Sequence, residues 1–262
     1  MMSINFGVIG GTGVYNPKML TSLREVTVDT PYGNVQVKIG VYQNKEIAFL
    51  ARHGFRHSVP PHAINYQANI MALKKLGVKK IIATAAVGSL NPSMVPGDFV
   101  LIDQFIDFTK GRKQTFFEEG KVLHIDMTEP YCPHLRKVIQ ENCPQEITLH
   151  SQGTYVCTEG PRFETPAEIR MFQMWGGDVV GMTSVPEVIL ARELGMCYAT
   201  IATVTNFAAG ISPNPLTHEE VKQTLAENGA NLQKLIINSL EDLDEIQNCL
   251  CAEAYKEAGN LG

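Results

Sequence analysis

The chain has 262 residues, of which 44% are hydrophobic and 19% charged, and its formal net charge is −5. This length and composition suit one large α/β domain with a substantial core. Acidic and basic residues are interspersed without a basic block, which argues against a nucleic-acid partner but not against a small anionic substrate. No apolar run reaches the roughly 20 residues that span a bilayer, and the N-terminus has no signal-peptide pattern. We therefore expect a cytoplasmic protein with no membrane partner.

Short apolar runs alternate along the chain with amphipathic helical patterns. The predicted strands are Asn5–Gly10, Glu46–Leu50, Lys80–Ala85, Phe99–Asp103, Gly153–Thr158, Asp178–Met182 and Cys197–Val204. The predicted helices are Ile64–Leu76, Pro133–Glu141, Pro166–Trp175, Pro186–Leu194 and Glu219–Leu243. This alternation predicts a single α/β domain over residues 1–247, with a central mixed β-sheet flanked by helices on both faces. Residues 248–262 form a polar C-terminal tail that we expect to fray.

Three predicted helices begin with a capping box, in which a hydroxyl residue is followed three positions later by Glu. The boxes start at Thr165, Ser184 and Thr217. A helix N-terminus carries partial positive charge. The residues just before Ser184 are therefore a suitable place for an anion.

Six cysteines are scattered along the chain, at positions 132, 143, 157, 197, 249 and 251. Without a secretion signal they are expected to be reduced thiols. Cys249 and Cys251 form a C-x-C pair, but two thiolates alone make a poor zinc site because structural zinc takes four ligands. We therefore predict no metal site, and the pair is interpreted as incidental or weakly redox-active.

Small and basic residues follow several predicted strands. Gly7–Gly13 (Gly-Val-Ile-Gly-Gly-Thr-Gly) closes the first strand, and its amides and the Thr12 hydroxyl could contact a phosphate. The loop lacks the third glycine of the dinucleotide fingerprint and the Walker lysine, so a plain tight turn is the alternative. Arg52-His53 offers a guanidinium fork and a cationic imidazole for phosphate oxygens, with a surface ion pair as the alternative. The small residues of Thr84–Leu90 either expose backbone amides or pack closely.

Two further stretches carry the most specific pattern: Thr158–Thr165 (Thr-Glu-Gly-Pro-Arg-Phe-Glu-Thr) and Val180–Glu187 (Val-Gly-Met-Thr-Ser-Val-Pro-Glu). Together with the Gly-rich loop, Arg52-His53 and Thr205-Asn206, they resemble the trimeric purine nucleoside phosphorylase family. Over the whole chain the closer resemblance is to the methylthioadenosine phosphorylase branch. The resemblance implies phosphorolysis of a purine nucleoside with inorganic phosphate as co-substrate, no cofactor, no metal, and a homotrimer.

The resemblance also assigns site residues. It implies a phosphate site formed by Thr12, Arg52, His53, Ala85, Ala86 and Thr183. It implies a nucleoside site formed by Phe163, Glu164, Met182, Asn206, Ala208 and His218. Phe163 would stack on the base, Met182 would pack under the ribose, and the catalytic residues would be Asn206, Glu164 and His53. Phe117 or His124 of a neighbouring subunit would close the pocket.

At the purine pocket the chain departs from the methylthioadenosine branch. Thr-Asn-Phe-Ala at positions 205–208 stands where that branch has a Thr-Asp-x-Asp segment, and Glu164 stands where it has a small hydroxyl residue. Both residues resemble the inosine- and guanosine-cleaving phosphorylases. An ionised Glu only accepts hydrogen bonds, so it pairs with N1–H of an oxopurine and opposes the N1 lone pair of adenine. His218 similarly resembles a histidine that binds the ribose 5′-hydroxyl.

The sequence therefore predicts phosphorolysis of 6-oxopurine nucleosides. An alternative with the same fold is a phosphorylase of 5′-methylthioinosine or 5′-methylthioadenosine. A phosphate-independent nucleosidase would leave the basic residues without an anion. A non-catalytic nucleoside or dinucleotide-binding module built around Gly7–Gly13 is the third alternative.

Overall fold

The computed structural model describes residues 4–11, 20–118, 122–212, 217–243 and 249–254, except for the side chain of His218. The strands in these ranges are β1 (Phe6–Gly10), β2 (Thr21–Thr30), β3 (Gly33–Tyr42), β4 (Lys45–Ala51), β5 (Lys80–Ser89), β6 (Phe99–Leu101), β7 (Gln104–Phe108), β8 (Leu149–His150), β9 (Thr154–Thr158), β10 (Val179–Gly181) and β11 (Cys197–Phe207). The α-helices are α1 (Tyr66–Lys75), α2 (Pro133–Glu141), α3 (Pro166–Met174), α4 (Glu187–Glu193) and α5 (His218–Glu241). Every predicted strand and helix is present, α2 with the predicted bounds and the others with shifted ends, so the α/β prediction is confirmed.

The strands form one branched, mixed sheet. Its main path runs β2-β3-β4-β1-β5-β10-β9-β7, and β11 pairs in parallel with the other edge of β5. Strand β6 joins the far edge of β11 and carries β8. This mixture of parallel and antiparallel pairs agrees with the predicted mixed sheet.

A cleft opens where the sheet branches at β5. The first half of β5 pairs with β1, which ends at Gly10, whereas its last residues, Gly88 and Ser89, pair with β10 instead. The neighbouring strand β4 also ends there, at Ala51. Ligands of open α/β sheets bind at such a break, beyond the carboxyl ends of the strands.

Apolar side chains fill a layer on each face of the sheet. One layer includes Ile70 and Leu73 of α1 with Val188 and Leu190 of α4. The other includes residues of α2 and α5, such as Leu135 and Leu235. Helices therefore cover both faces, as the alternation of elements predicts. In the described ranges no helix combines the length and apolar character needed to cross a membrane.

The β2–β3 hairpin and the short strands β7 and β8 are not indicated by the buried-run pattern. Strand β2 is exposed at nearly every position, and β3 buries alternate residues such as Val35 and Val37. Burial of every second residue, with one face of the strands exposed to solvent, is typical of an antiparallel hairpin at the edge of a sheet. Such strands contain no continuous apolar run.

Two of the three predicted helix caps are present. The Thr165 hydroxyl accepts from the Glu168 N–H and the Glu168 carboxylate accepts from the Thr165 N–H, and the Thr217 hydroxyl accepts from the Glu220 N–H. The predicted box at Ser184 is wrong. Helix α4 begins at Glu187, and the Ser184 hydroxyl lies 2.6 Å from the Tyr131 hydroxyl. Tertiary hydrogen bonds have replaced the local cap.

The C-terminal tail differs from the fraying segment that its polarity predicts. Residues Leu250–Glu253 form a short 3₁₀ turn. Cys251 and Ala254 are buried against the body of the domain. At least residues 249–254 are therefore docked.

Candidate active site

A cavity of about 420 Å³ occupies the cleft at the branch of the sheet. Its volume lies within the range of small-molecule sites. It brings together Arg52, His53, Ala85, Ala86, Phe163, Glu164, Met182, Thr183, Asn206 and Ala208. Thr12 lies outside the described residues, and so does the side chain of His218. Val221, one turn into α5 from His218, also lines the cavity.

Gly11 forms the floor where β1 ends. Its N–H donates to the Thr84 hydroxyl at 2.8 Å. A Cβ at this position would lie 2.8 Å from the carbonyl oxygen of Thr84 and 3.2 Å from Nη1 of Arg52. A side chain would collide with rigid backbone there, so glycine is required by close approach.

Arg52 is held inside the protein by a carboxylate that the sequence does not point to. Its Nε and Nη2 donate to the two oxygens of Glu187 at 2.8 and 2.7 Å, and Nη1 donates to the Thr84 carbonyl at 2.7 Å. Tyr198 donates its hydroxyl to the same carboxylate at 2.7 Å. The prediction that the guanidinium fork faces a phosphate is therefore corrected, because Glu187 occupies that edge. Nη1 and Nη2 each keep one further hydrogen for a ligand.

Arg52 keeps its positive charge. Burial alone would lower the pKa of Arg52, but the adjacent Glu187 carboxylate outweighs it and the pKa lies above its ordinary value. Both side chains are almost completely buried, at 1% and 0% exposure. The floor of the cavity thus carries a buried ion pair whose charges cancel.

His53 is neutral at neutral pH, which corrects the prediction of a cationic imidazole. Burial, with smaller contributions from Arg52 and His57, lowers its pKa to about 4 despite the hydrogen bond to Val59. Nδ1 lies 2.9 Å from the Val59 carbonyl oxygen, which can only accept, so Nδ1 carries the proton. Nε2 is then left with a lone pair. In this state Nε2 of His53 can accept a hydrogen bond from a ligand, but the ring cannot supply positive charge.

Small residues of β5 and the loop after β10 form a further wall of the cavity. Ala85, Ala86 and Gly88 line the cavity without filling it. Thr183 follows β10, and its N–H donates to the Tyr155 hydroxyl at 3.2 Å. Ala85 has no hydroxyl to offer an anion. Hydrogen bonds to an anion from this wall must come from Thr183 or from backbone amides.

Asn206 is aimed by a β-bulge. The pairing of β11 with β5 shifts register between Val204 and Asn206, which leaves Thr205 as the extra residue. Bulges next to active sites redirect side chains in this way. The Thr205 hydroxyl donates to Oδ1 of Asn206 at 2.8 Å, and Nδ2 donates to the Phe207 carbonyl at 2.9 Å. Nδ2 carries a second hydrogen that a ligand in the cavity can accept.

Glu164 lies on the same cavity as Asn206. The Thr158 hydroxyl donates to its Oε1 at 2.6 Å. Burial raises the pKa of the Glu164 carboxyl, and the Thr158 hydrogen bond opposes this only in part. The raised pKa makes protonation easier than the reference carboxyl would suggest, and a protonated carboxyl can donate to N1 of adenine.

Two apolar side chains complete the cavity. Phe163 is 45% exposed and stands at its rim. Met182 lies deeper, packed against Gly160, where a Cβ would come within 2.5 Å of its sulfur. A flat aromatic ring and a flexible thioether suit a planar base and a sugar.

Arg112 is a positioning residue that sequence reasoning missed. Its guanidinium donates to the carbonyls of Met182 (2.8 Å) and Val185 (2.6 Å) on one side, and of Thr158 (3.2 Å) and Glu159 (2.9 Å) on the other. It therefore ties together the two loops that carry Met182 and Glu164. Nothing in its local sequence, a polar stretch with Lys110 and Lys113, distinguishes it from a solvated cation.

The two proposed lid residues lie apart from the cavity of their own chain. Among the described residues that line it, neither Phe117 nor His124 appears, and His124 is exposed. Closure of a neighbour's cavity by either residue stays a prediction.

Comparison with known proteins agrees with the motifs. Residues 5–241 match the family described as the Phosphorylase superfamily. The chain is 56% identical over 262 residues to a probable 6-oxopurine nucleoside phosphorylase of Dictyoglomus turgidum, covering 99% of each chain. It is 55% identical over 260 residues to a probable 6-oxopurine nucleoside phosphorylase of Thermococcus kodakarensis, covering 96% of this chain and 97% of the relative.

Among solved structures, a methylthioadenosine phosphorylase from an antarctic soil metagenomic library superposes with a TM-score of 0.91. It is 36% identical in sequence, over 98% of this chain and 93% of that one. Sequence and fold agree over nearly the whole length. The chain belongs to the phosphorylase superfamily.

Proposed function

We propose that this protein cleaves 6-oxopurine nucleosides, inosine and guanosine, with inorganic phosphate to give the free base and ribose 1-phosphate. The observation that carries the proposal is the meeting of Glu164 and Asn206 on one cavity whose floor holds Arg52. An acceptor and a donor that line one cavity match the N1–H and the O6/N7 edge of an oxopurine. The names of the relatives at 55–56% identity support the same substrate class.

The reaction needs the base and the phosphate on opposite sides of C1′. Phe163 and Met182 hold the base and the sugar, while the spare hydrogens of Arg52, with Thr183 and nearby amides, hold the phosphate. The C1′–N9 bond breaks and its electron pair stays on the purine, while a phosphate oxygen forms the new bond to C1′. The positive charge that develops on the ribosyl group is stabilised by the phosphate anion. No covalent enzyme intermediate is involved.

Asn206 acts on the leaving group. Because Thr205 holds Oδ1, the Nδ2 hydrogen points its charge at the purine edge where electron density gathers. Glu164 accepts from N1–H and fixes the base. Neutral His53, through its Nε2 lone pair, can accept a hydrogen bond from the P–OH group of a dianionic phosphate, HPO₄²⁻.

A phosphorylase of 5′-methylthioinosine or 5′-methylthioadenosine is the alternative. The likeness to a solved methylthioadenosine phosphorylase over nearly the whole chain supports this alternative. Glu164 and Asn206 favour an oxopurine in either case. The two candidates differ at the 5′ position, which the His218 side chain would face.

A substrate panel tests the proposal. The purified protein is assayed with inosine, guanosine, adenosine and the methylthio forms of inosine and adenosine, each with and without phosphate. We expect phosphate-dependent release of hypoxanthine and guanine with the highest kcat/KM. Turnover without phosphate would indicate a nucleosidase, and a preference for methylthio nucleosides would move the protein to the alternative.

Asn206→Ala tests the role of the amide. Loss of a donor that acts on developing charge costs about 10²–10³-fold in kcat. Because the amide acts mainly in the transition state, KM should change far less. A rise in KM with unchanged kcat would mean that Asn206 serves ground-state binding.

We further infer a homotrimer. Support comes from exposed apolar side chains at the end of α3, where Met174 and Trp175 are 78% and 53% exposed. Large apolar side chains in such positions mark contact surfaces. Light scattering coupled to size-exclusion chromatography measures the mass of the oligomer directly, and the mass of a monomer would contradict the inference.

A further inference from the structure

Four of the six cysteines meet at one place, away from the active-site cavity. Cys132 caps α2, Cys197 is the first residue of β11, and Cys249 and Cys251 belong to the docked tail. Their four Sγ atoms all lie within 4.8 Å of one another. In sequence, the C-x-C pair offers two thiols. The fold adds the two that the pair lacks.

The spacing of the sulfurs suits a tetrahedral metal ion. Zinc–sulfur bonds of about 2.3 Å place the sulfurs of a four-thiolate site about 3.8 Å apart. The Sγ atoms of Cys132 and Cys249 are 3.3 Å apart, and the greatest separation in the cluster is below 4.8 Å. The observed range therefore brackets the required edge, and all four cysteines are free thiols.

Backbone donors already point at two of the sulfurs. The Leu135 N–H donates to Sγ of Cys132, and the Cys251 N–H donates to Sγ of Cys249, both at 3.4 Å. Hydrogen bonds of this kind hold metal ligands in place and spread the charge of a thiolate. The first is the helix cap of α2, so the ligand is anchored by a regular element.

The surroundings hold the cluster rigidly. The N–H of Cys132 donates to the Tyr198 carbonyl at 2.8 Å, which fixes α2 beside the start of β11. Gly195 allows the tail to approach closely, because a Cβ there would lie 3.2 Å from Cα of Ala252 and 3.3 Å from the Cys251 carbonyl oxygen. Cys132, Cys197 and Cys251 are buried, and Cys249 is partly covered.

We propose that Cys132, Cys197, Cys249 and Cys251 bind one zinc ion that fastens the C-terminal tail to the starts of α2 and β11. Four soft sulfur ligands select zinc over the hard cations magnesium and calcium. Binding forms four Zn–S bonds and releases the four thiol protons to solvent, so the site carries a net charge of −2. With all four positions taken by protein, the site is structural and leaves no position for a substrate.

The site is remote from the reaction. Cys197 and Asn206 lie at opposite ends of β11, and nine residue steps along a strand span about 30 Å. Loss of the metal should therefore lower stability while the phosphorolysis rate of the folded enzyme is retained. This separates the inference from the proposed function, since either can fail alone.

Metal analysis of the full-length protein tests the inference. The protein is expressed with zinc, purified anaerobically under a thiol reductant, and measured by elemental mass spectrometry. We expect about one zinc per chain in the wild type and in the control Cys143→Ser, whose thiol lies outside the cluster. We expect loss of zinc from Cys249→Ser and from the double variant Cys249→Ser/Cys251→Ser, with a lower Tm in both.

Cobalt substitution keeps the test decisive if the variants fold poorly. Wild-type protein stripped of zinc and loaded with Co²⁺ should show the intense ligand-field and thiolate-to-cobalt bands of a tetrahedral four-sulfur site. The inference is overturned by wild-type protein that contains no zinc and gives no such cobalt spectrum. If the inference is right, removal of the metal exposes four reactive thiols at these positions. Disulfides between these cysteines in the anaerobic protein would equally overturn it.

Discussion

Replacing Glu187 by Gln should have opposite effects on fold stability and on phosphate binding. Glu187 holds Arg52 by two hydrogen bonds and accepts a third from Tyr198, and both charges are buried. The variant leaves the Arg52 cation without its counter-charge and turns one amide N–H toward the guanidinium. Removing one partner of a buried pair costs about 3–5 kcal/mol. In a domain of this size that corresponds to a fall in Tm of roughly 10 °C.

Bound phosphate should restore part of the stability that Glu187→Gln loses. In the variant a bound phosphate becomes the nearest anion to Arg52, so its affinity should rise. A tenfold tighter Kd adds about 1.4 kcal/mol of stabilisation at saturating phosphate. Phosphate should therefore raise the Tm of Glu187→Gln by a few degrees more than it raises that of the wild type.

Thermal unfolding with and without phosphate measures both effects. Glu193→Gln is the matched control, because Glu193 is also a buried carboxylate of α4 but accepts from the Phe116 N–H rather than from a cation. It should be less destabilised and show the wild-type response to phosphate. The reasoning is refuted if Glu187→Gln is no less stable than the control, or if phosphate protects the two variants equally.

Three further predictions concern the cavity. Because the pKa of Glu164 is raised, the ratio of kcat/KM for adenosine to kcat/KM for inosine should increase as pH falls below neutral. Glu164→Gln should abolish this pH dependence. A ratio that does not change with pH in the wild type would contradict the role given to Glu164. The pKa of His53 is about 4 in the folded state and about 6.5 in the unfolded chain. Between about pH 6.5 and about pH 4 the unfolded chain therefore binds more protons than the folded protein. Unfolding free energy measured in phosphate-free buffer should therefore drop as pH falls from about 6.5 to 4, by at most about 3 kcal/mol, and His53→Gln should show a shallower drop. Arg112→Ala should cost about 3 kcal/mol or more by leaving several partly buried carbonyls unpaired, and it should raise the KM for the nucleoside. Lys113→Ala, at an exposed ion pair, should change neither, and equal unfolding curves for the two variants would argue against the role of Arg112.

The fold was predictable where local pattern and burial agree. Strand β11 is buried along almost its whole length and reads as an apolar run, and α2 has the bounds that its pattern predicts. The β2–β3 hairpin is different because its place at the edge of the sheet depends on the pairing of β3 with β4. A half-exposed strand has no strong signal of its own in the sequence.

The site residues were predictable where the functional group belongs to the side chain itself and the residue lies in a recognisable motif near the end of a strand. Glu164, Asn206, Phe163 and Met182 are found on one cavity, as their motifs indicate. The pairing of Arg52 with Glu187 and the neutral state of His53 were not predictable. They depend on burial and on partners that are distant in the chain, such as Glu187, 135 positions from Arg52.

The sequence by itself determined the family, the buried strands and the helices, and the polar side chains of the candidate site, because these follow from residue type and local spacing. Only the tertiary structure decided that Glu187 neutralises Arg52, that Arg112 joins the two site loops, and that four cysteines converge. Each of these contacts joins segments far apart in the chain. Their electrostatics and geometry exist only when the sheet has brought those segments together.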